Sequence, residues 1–241
     1  NPRLSFAREG VEKAIAFGAE LILAVGGGSA IDTAKGIAIG AANPDTDIWE
    51  FWSKKQTVKK SLPVGVVLTL AAAGSETSDS AVLTNEETKI KRGLSTDFNR
   101  PAFAIMNPEL TYTLPKYQVG CGIVDIMMHT LERYFSVGED TPLSDRIAEG
   151  VLKTVIPAGK AALENPNDYE ARSNIMWSAT LALNTMAGLA KEQDWEVHMI
   201  EHQLGAYTDC AHGMGLAAIS IPYYNYIYTY GLDKFVRFAK E

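Results

Sequence analysis

The run Leu21–Val25, LILAV, passes directly into Gly26-Gly27-Gly28-Ser29, and helical character resumes over Ala30–Ala42. So short a continuous apolar run suits a buried strand of a parallel sheet. A glycine turn after such a strand lets the backbone come close to a ligand, and the first N–H groups of the next helix have no intrahelical partner. Strand, turn and helix start together make an anion cradle. Asp32 is expected in the first turn of that helix, where a carboxylate suits the dipole. GGGS is neither GxGxxG nor a Walker A loop, so a structural turn without a ligand is the alternative reading. The pattern recurs: Pro63–Leu70, PVGVVLTL, reads as a second buried strand leading into the small-residue loop Ala71–Ser78, AAAGSETS. Loops at the C-terminal ends of parallel strands are where open α/β sheets bind ligands.

The rest of the first half fits that plan. Asn1–Gly18 reads as a helix, Asp47–Trp52 as a short helix or turn with exposed aromatics, and Ala102–Met106 as a last strand. Ala81–Thr84 and Lys89–Leu94, parted by Asn85–Thr88, read as a hairpin. Strand signals stop at Pro115. Lys116–Phe135, Pro142–Leu163, Tyr169–Ala187, Trp195–Tyr207 and Met214–Tyr230 carry helical periodicity. The expected fold is α/β over residues 1–115 followed by all-α over 116–241. With 46% hydrophobic and 21% charged residues, the chain can bury a core. A net charge of −7 without a Lys/Arg-rich block argues against a nucleic-acid partner. The longest apolar run, Leu216–Tyr230, is broken by Pro222 and Asn225 and is too short for a membrane span. Two cysteines, Cys121 and Cys210, and no signal peptide at the start make a reducing cytoplasm the expected setting.

All four histidines fall in two short clusters. His198, His202 and His212 lie in Trp195–Gly213, and His129 follows four residues after Asp125. On a helix, i and i+4 side chains share a face, about 6 Å apart along the axis. Asp125/His129 and His198/His202 both have that spacing. Two helices presenting carboxylate and imidazole toward a third element can close around a divalent cation. That ligand chemistry suits Fe(II), Zn(II), Ni(II) or Co(II) better than Mg(II) or Ca(II). The bland reading is ordinary core or surface histidines. A rival reading takes His198–His202 as an HxxEH metallohydrolase motif with Glu201 as general base. Cys210 reads as a small buried neighbour, and Tyr223, Tyr224, Tyr226, Tyr228 and Tyr230 as packing and surface aromatics.

The segments LILAVGGGSAIDTAKGIA, LTLAAAGSETS, GIVDIMMHTLERY and WEVHMIEHQLGAYTDCAHGMGLA occur in that order. Together they resemble the iron-containing (group III) alcohol dehydrogenase family, nearest its butanol dehydrogenase and aldehyde reductase branch, over essentially the whole chain. The resemblance implies a dehydroquinate synthase-like two-domain architecture. A partial Rossmann-like cofactor domain, residues 1–115, precedes a helical metal-binding domain, residues 116–241. It implies Fe(II), with Zn(II) or Ni(II) as alternatives, held by Asp125, His129, His198 and His212. It places NAD or NADP against Gly27, Gly28, Ser29 and Asp32 at the diphosphate, with Thr69, Ser75, Ser78 and Val82 lining the cofactor and Lys91 reaching the nicotinamide ribose. His202 matches a position near nicotinamide and substrate, where an imidazole titrating near neutral pH would relay the alcohol proton. The activity implied is metal-assisted hydride transfer between NAD(P)H and a small aldehyde or a primary alcohol such as butanol, in a homodimer. Family members are longer, so a partial chain is expected, and an inactive fragment acting as a binding module is the non-enzymatic alternative.

Overall fold

A computed structural model of the chain describes residues 1–136 and 141–241. Helix α1 (Leu4–Phe17) stops at Gly18, whose left-handed φ of 68° lets its N–H return to the Ile15 carbonyl. Strand β1 (Ile22–Gly26), helix α2 (Gly28–Ala42), the short α3 (Ile48–Trp52) and β2 (Val64–Leu68) follow, then β3 (Ser80–Asn85), β4 (Ile90–Ser95) and β5 (Phe103–Ile105). Strands β1, β2 and β5 form a parallel sheet in the order β1-β2-β5, in register Ile22↔Val64 and Gly65↔Phe103. β3 and β4 form a separate antiparallel hairpin. The Asn85 side chain closes its turn by accepting from the N–H groups of Glu87 and Thr88.

One face of the sheet, Ala24, Val64, Val66, Leu68 and Ala104, packs on Ile31, Ala34 and Ala38 of α2 and on Met176. The other face is bare: Leu23, Val25, Phe103 and Ile105 are 53%, 61%, 45% and 52% exposed. LILAV is therefore a parallel strand buried on one side only, since among the described residues nothing covers the second face. The α3 aromatics also differ from expectation. Phe51 and Trp52 are buried in the cluster with Leu4, Ile39 and Leu83, and Trp52 Nε1 donates to the Ala81 carbonyl at 3.0 Å. A single turn of helix is held by its side chains, so those side chains go inward.

From Lys116 onward the described residues form α4 (Lys116–Tyr134), α5 (Pro142–Glu164), α6 (Tyr169–Leu183), α7 (Glu196–Thr208), α8 (His212–Ile227) and α9 (Leu232–Lys240). Helix α4 is central. Val119 and Ile126 pack with Val151, Val155, Ile175 and Ala179 of α5 and α6. Met128 and Leu131 pack with Val197 and Leu216 of α7 and α8. Helix α8 runs through Pro222 instead of breaking there. The carbonyl that loses its partner belongs to the exposed Ala218, so water can satisfy it. No helix among the described residues is long and apolar enough to cross a membrane.

The two halves meet at the loop after β2. Gly74 has φ 69°, and a Cβ there would stand 2.5 Å from the Ala179 carbonyl of α6, so only glycine lets the loop sit this close. The next residues are pinned on both sides. Thr180 Oγ1 donates to Glu76 at 2.6 Å. From the other side Lys35, 1% exposed, donates to the carbonyls of Ser75, Ser78 and Ser80 at 2.7, 3.1 and 2.8 Å.

Candidate metal and cofactor site

A cavity of about 940 Å³ runs between the α/β half and the helical half. At one end is the glycine loop. The first intrahelical bonds of α2 run from Ala30 and Ile31 to the Gly27 carbonyl, so the N–H groups of Gly28 and Ser29 precede them. No side chain caps this start, and the cradle is open to an anion. Asp32 lies beyond the first turn, contrary to expectation. Its carboxylate crosses to the second loop, accepting from Ser75 Oγ at 2.6 Å and from the Val82 N–H at 2.9 Å. Gly27, Gly28, Ser29, Asp32, Ser75, Ser78, Val82 and Lys91 all line the cavity. Thr69 does not line it, and its N–H is bonded to the Gly26 carbonyl.

At the other end, Asp125 and His129 of α4 meet His198 of α7 and His212, the first residue of α8. Asp125 Oδ1 is the centre: His129 Nδ1 lies at 3.6 Å, His198 Nε2 at 3.6 Å and His212 Nε2 at 3.7 Å. Asp125, His198 and His212 each offer a ligand atom, all within 4.8 Å of one another. Asp125 Oδ1, His129 Nδ1 and His198 Nε2 are buried and have no hydrogen-bond partner. Convergent, buried and unpartnered donor atoms of this kind fit a borderline divalent cation. Burial alone would push the Asp125 carboxyl up, yet His129, His212 and His198 hold it below the usual carboxylate range. Burial opposes charge on His198, but the Asp125 and Glu132 carboxylates on its two sides push it up to about 9. His129 is held well below the usual imidazole value by burial.

Around these four stand contacts that spacing did not reveal. Glu132 accepts from His198 Nδ1, and Glu201 accepts from His212 Nδ1. Lys91 Nζ lies 3.0 Å from Glu201, tying β4 to α7. Trp195 stands edge-on to His129 and His198, with the Arg133 guanidinium 4.6 Å over its ring. Glu201 of the HxxEH pattern is fully buried and engaged with His212 and Lys91, a poor position for a base acting on water. His202 shares the cavity, its ring 6.0 Å from that of His212. Burial, reinforced by the Lys91 ammonium, pushes it down to about 3, so its imidazole is neutral and does not titrate near pH 7. The sequence signal for the missed lysine was its setting: Lys35 is the one cation in an otherwise small and apolar helix, AIDTAKGIAIGAA.

Comparison with known proteins gives a consistent picture. The profile of "Iron-containing alcohol dehydrogenase" matches residues 1–108, and that of "Fe-containing alcohol dehydrogenase family, C-terminal" matches residues 121–236. NADH-dependent butanol dehydrogenase A of Clostridium acetobutylicum is 43% identical over 99% of this chain and 61% of its own length. An NADPH-dependent aldehyde reductase of Escherichia coli is 42% identical over 82% of the chain and 52% of its own length. The crystal structure of NADH-dependent butanol dehydrogenase A from Thermotoga maritima superposes with a TM-score of 0.97 at 43% identity, covering 100% of this chain and 60% of that one. The chain thus spans between half and about three fifths of the length of these relatives.

Proposed function

The chain belongs to the iron-containing alcohol dehydrogenase family, and from that premise we propose that it carries the chemical centre of a metal-dependent alcohol dehydrogenase or aldehyde reductase. The reaction is hydride transfer between NADH or NADPH and a small aldehyde or a primary alcohol such as butanol. Relatives named as NADH-dependent butanol dehydrogenases and as an NADPH-dependent aldehyde reductase support this reading. In it, residues 1–115 serve as the cofactor domain and 116–241 as the metal-binding domain.

The observation that carries the proposal is the convergence of unpartnered Asp125 Oδ1, His129 Nδ1 and His198 Nε2 at one end of a cavity whose other end is the glycine loop. Asp125, His129, His198 and His212 would hold the cation, iron by family, with Zn(II) or Ni(II) suited to the same ligands. A cation bound there supplies Lewis-acid polarisation of the substrate oxygen, typically worth several kcal/mol. The chain's own groups do the rest. The Gly28 and Ser29 N–H groups bind the cofactor diphosphate. Ser75, Ser78 and Val82 line the path toward the nicotinamide. Asp32 keeps the two loops in register through Ser75 and Val82. Trp195 and Met199 wall the metal end. His202, held neutral by burial and the Lys91 ammonium, lines the cavity beside His212, and in this reading it would line the substrate end without storing the alcohol proton.

The test is metal content after anaerobic loading with Fe(II) or Zn(II), for the chain and for Asp125→Asn beside it. A single bound ion in the former, lost in the latter, is the expected result. Metal retained by Asp125→Asn would overturn the ligand set and return the HxxEH reading. Quenching of protein fluorescence by NADH, weakened in Ser29→Asp, tests the cofactor end.

A further inference from the structure

We propose that Glu132 and Glu201 are positioning residues of the metal centre: each accepts a hydrogen bond from Nδ1–H of one histidine and so keeps the proton there, and Nε2 of His198 and of His212 is presented to the cation. The proposal rests on the reading of Asp125, His129, His198 and His212 as ligands.

Both carboxylates are buried, at 1% and 0% exposure, and a buried carboxylate is destabilising unless its oxygens are engaged. Glu132, one turn after His129 on α4, reaches the start of α7. There its Oε1 accepts from the N–H groups of Val197 and His198 at 2.8 and 3.2 Å, two donors the helix itself leaves unpaired. Its Oε2 accepts from His198 Nδ1. Glu201 is engaged through one oxygen only, Oε1 having no partner. A Cβ at Gly205 or at Gly215 would stand 2.8 Å from its side chain, so two glycines make the slot it occupies. Its Oε2 accepts from His212 Nδ1 and pairs with Lys91 Nζ at 3.0 Å.

The chemistry of the imidazole supplies the rest. A neutral ring carries one N–H, and an acceptor at Nδ1 holds the proton there, leaving the Nε2 lone pair for a metal. In both histidines that Nε2 is the atom facing Asp125 Oδ1. The charges agree as well. Once the histidines are neutral as ligands, Asp125, Glu132 and Glu201 against Lys91 leave two negative charges, which a divalent cation balances. Arg133, the other buried cation nearby, is turned away to the carbonyls of His129, Ala182 and Leu183.

The experiment compares Co(II) binding, by chelator competition and by the visible spectrum of the bound ion, in the unaltered chain, Glu132→Gln and Glu201→Gln. A glutamine that turns its NH₂ to Nδ1 forces the proton onto Nε2, in the way of the cation. In Glu132→Gln, one that turns its oxygen there sets its NH₂ against the Val197 and His198 N–H groups; in Glu201→Gln, whose other oxygen position meets no donor, it weakens the pair with Lys91, and the Lys91 ammonium 3.4 Å from His212 Nδ1 then competes to donate there. Affinity falling about 10- to 100-fold in each variant, with an altered Co(II) spectrum and a cooperative thermal transition retained by the metal-free protein, is the expected result. Unchanged affinity and spectrum in either variant overturns the role of that glutamate. The two act on different histidines, so one that fails to fold leaves the other to decide. Asp125→Asn and His212→Ala are run alongside. If these also bind Co(II) normally, it is the ligand set that has failed; if only they lose it, the positioning role has failed and the ligand set stands.

Discussion

The three histidine rings at Asp125 are steadied in two different ways. His198 and His212 each have a carboxylate at Nδ1, whereas His129 is held by packing, stacked on His198 at 4.6 Å and met edge-on by Trp195. Trp195 in turn carries the Arg133 guanidinium on its face. Trp195→Ala should loosen His129, lowering metal affinity by about tenfold and stability by roughly 1–3 kcal/mol, read by chelator competition and urea unfolding. A second residue-scale prediction concerns Lys35. Burial pushes its pKa down to about 8 from an ordinary 10.5. Across that window the unfolded chain keeps a proton that the folded chain has released, so this group's contribution to stability rises with pH from about 8 to 10.5 and is flat below. Lys35→Met should lose about 3–5 kcal/mol by leaving three carbonyls unpaired, and its urea midpoint should lack that part of the rise. At this scale the pairing of Asp125 with His129 was legible because i, i+4 spacing is itself geometric information, whereas the preference for His212 over His202 came only from the family resemblance. The partners of Glu132 and Glu201 were not legible, since a glutamate inside a helix reads the same whether it faces water or a histidine ring, and the HxxEH spacing suggested a different role for Glu201.

Among the elements, α8 is set by its second residue. A Cβ on Gly213 would stand 2.1 Å from the Cys121 carbonyl of α4, so the two backbones touch just where His212 must reach Asp125. Gly213→Ala should push the start of α8 away, destabilise the protein by roughly 1–3 kcal/mol and weaken metal binding. Thermal unfolding and chelator competition read the two effects separately. Helix and strand positions were largely legible from periodicity and from glycine and proline punctuation, the β3–β4 hairpin included. Which side of an element is covered was less so. The aromatics of α3 went inward because a one-turn helix has little else to hold it, and Pro222 sits within α8 because the carbonyl it displaces faces solvent.

For the whole molecule, the bare face of the β1-β2-β5 sheet has the largest consequence for behaviour. Leu23, Val25, Phe103 and Ile105 make a contiguous apolar surface, of the kind that binds hydrophobic dyes and drives association. Replacing Leu23, Val25 and Ile105 by Thr should reduce dye fluorescence and self-association while leaving metal stoichiometry unchanged, since the cavity lies elsewhere. A continuous apolar run cannot reveal this state, because it encodes suitability for a covered strand and not the presence of the cover. The Lys91–Glu201 pair has a consequence of a different kind, for recombination among relatives. It joins the hairpin to α7 across 110 residues of chain. A chimaera that took one partner without the other would bury a lone lysine or carboxylate beside the metal ligands, a loss of about 3–5 kcal/mol. Crossovers that keep β4 and α7 from the same parent should therefore be over-represented among the chimaeras that fold.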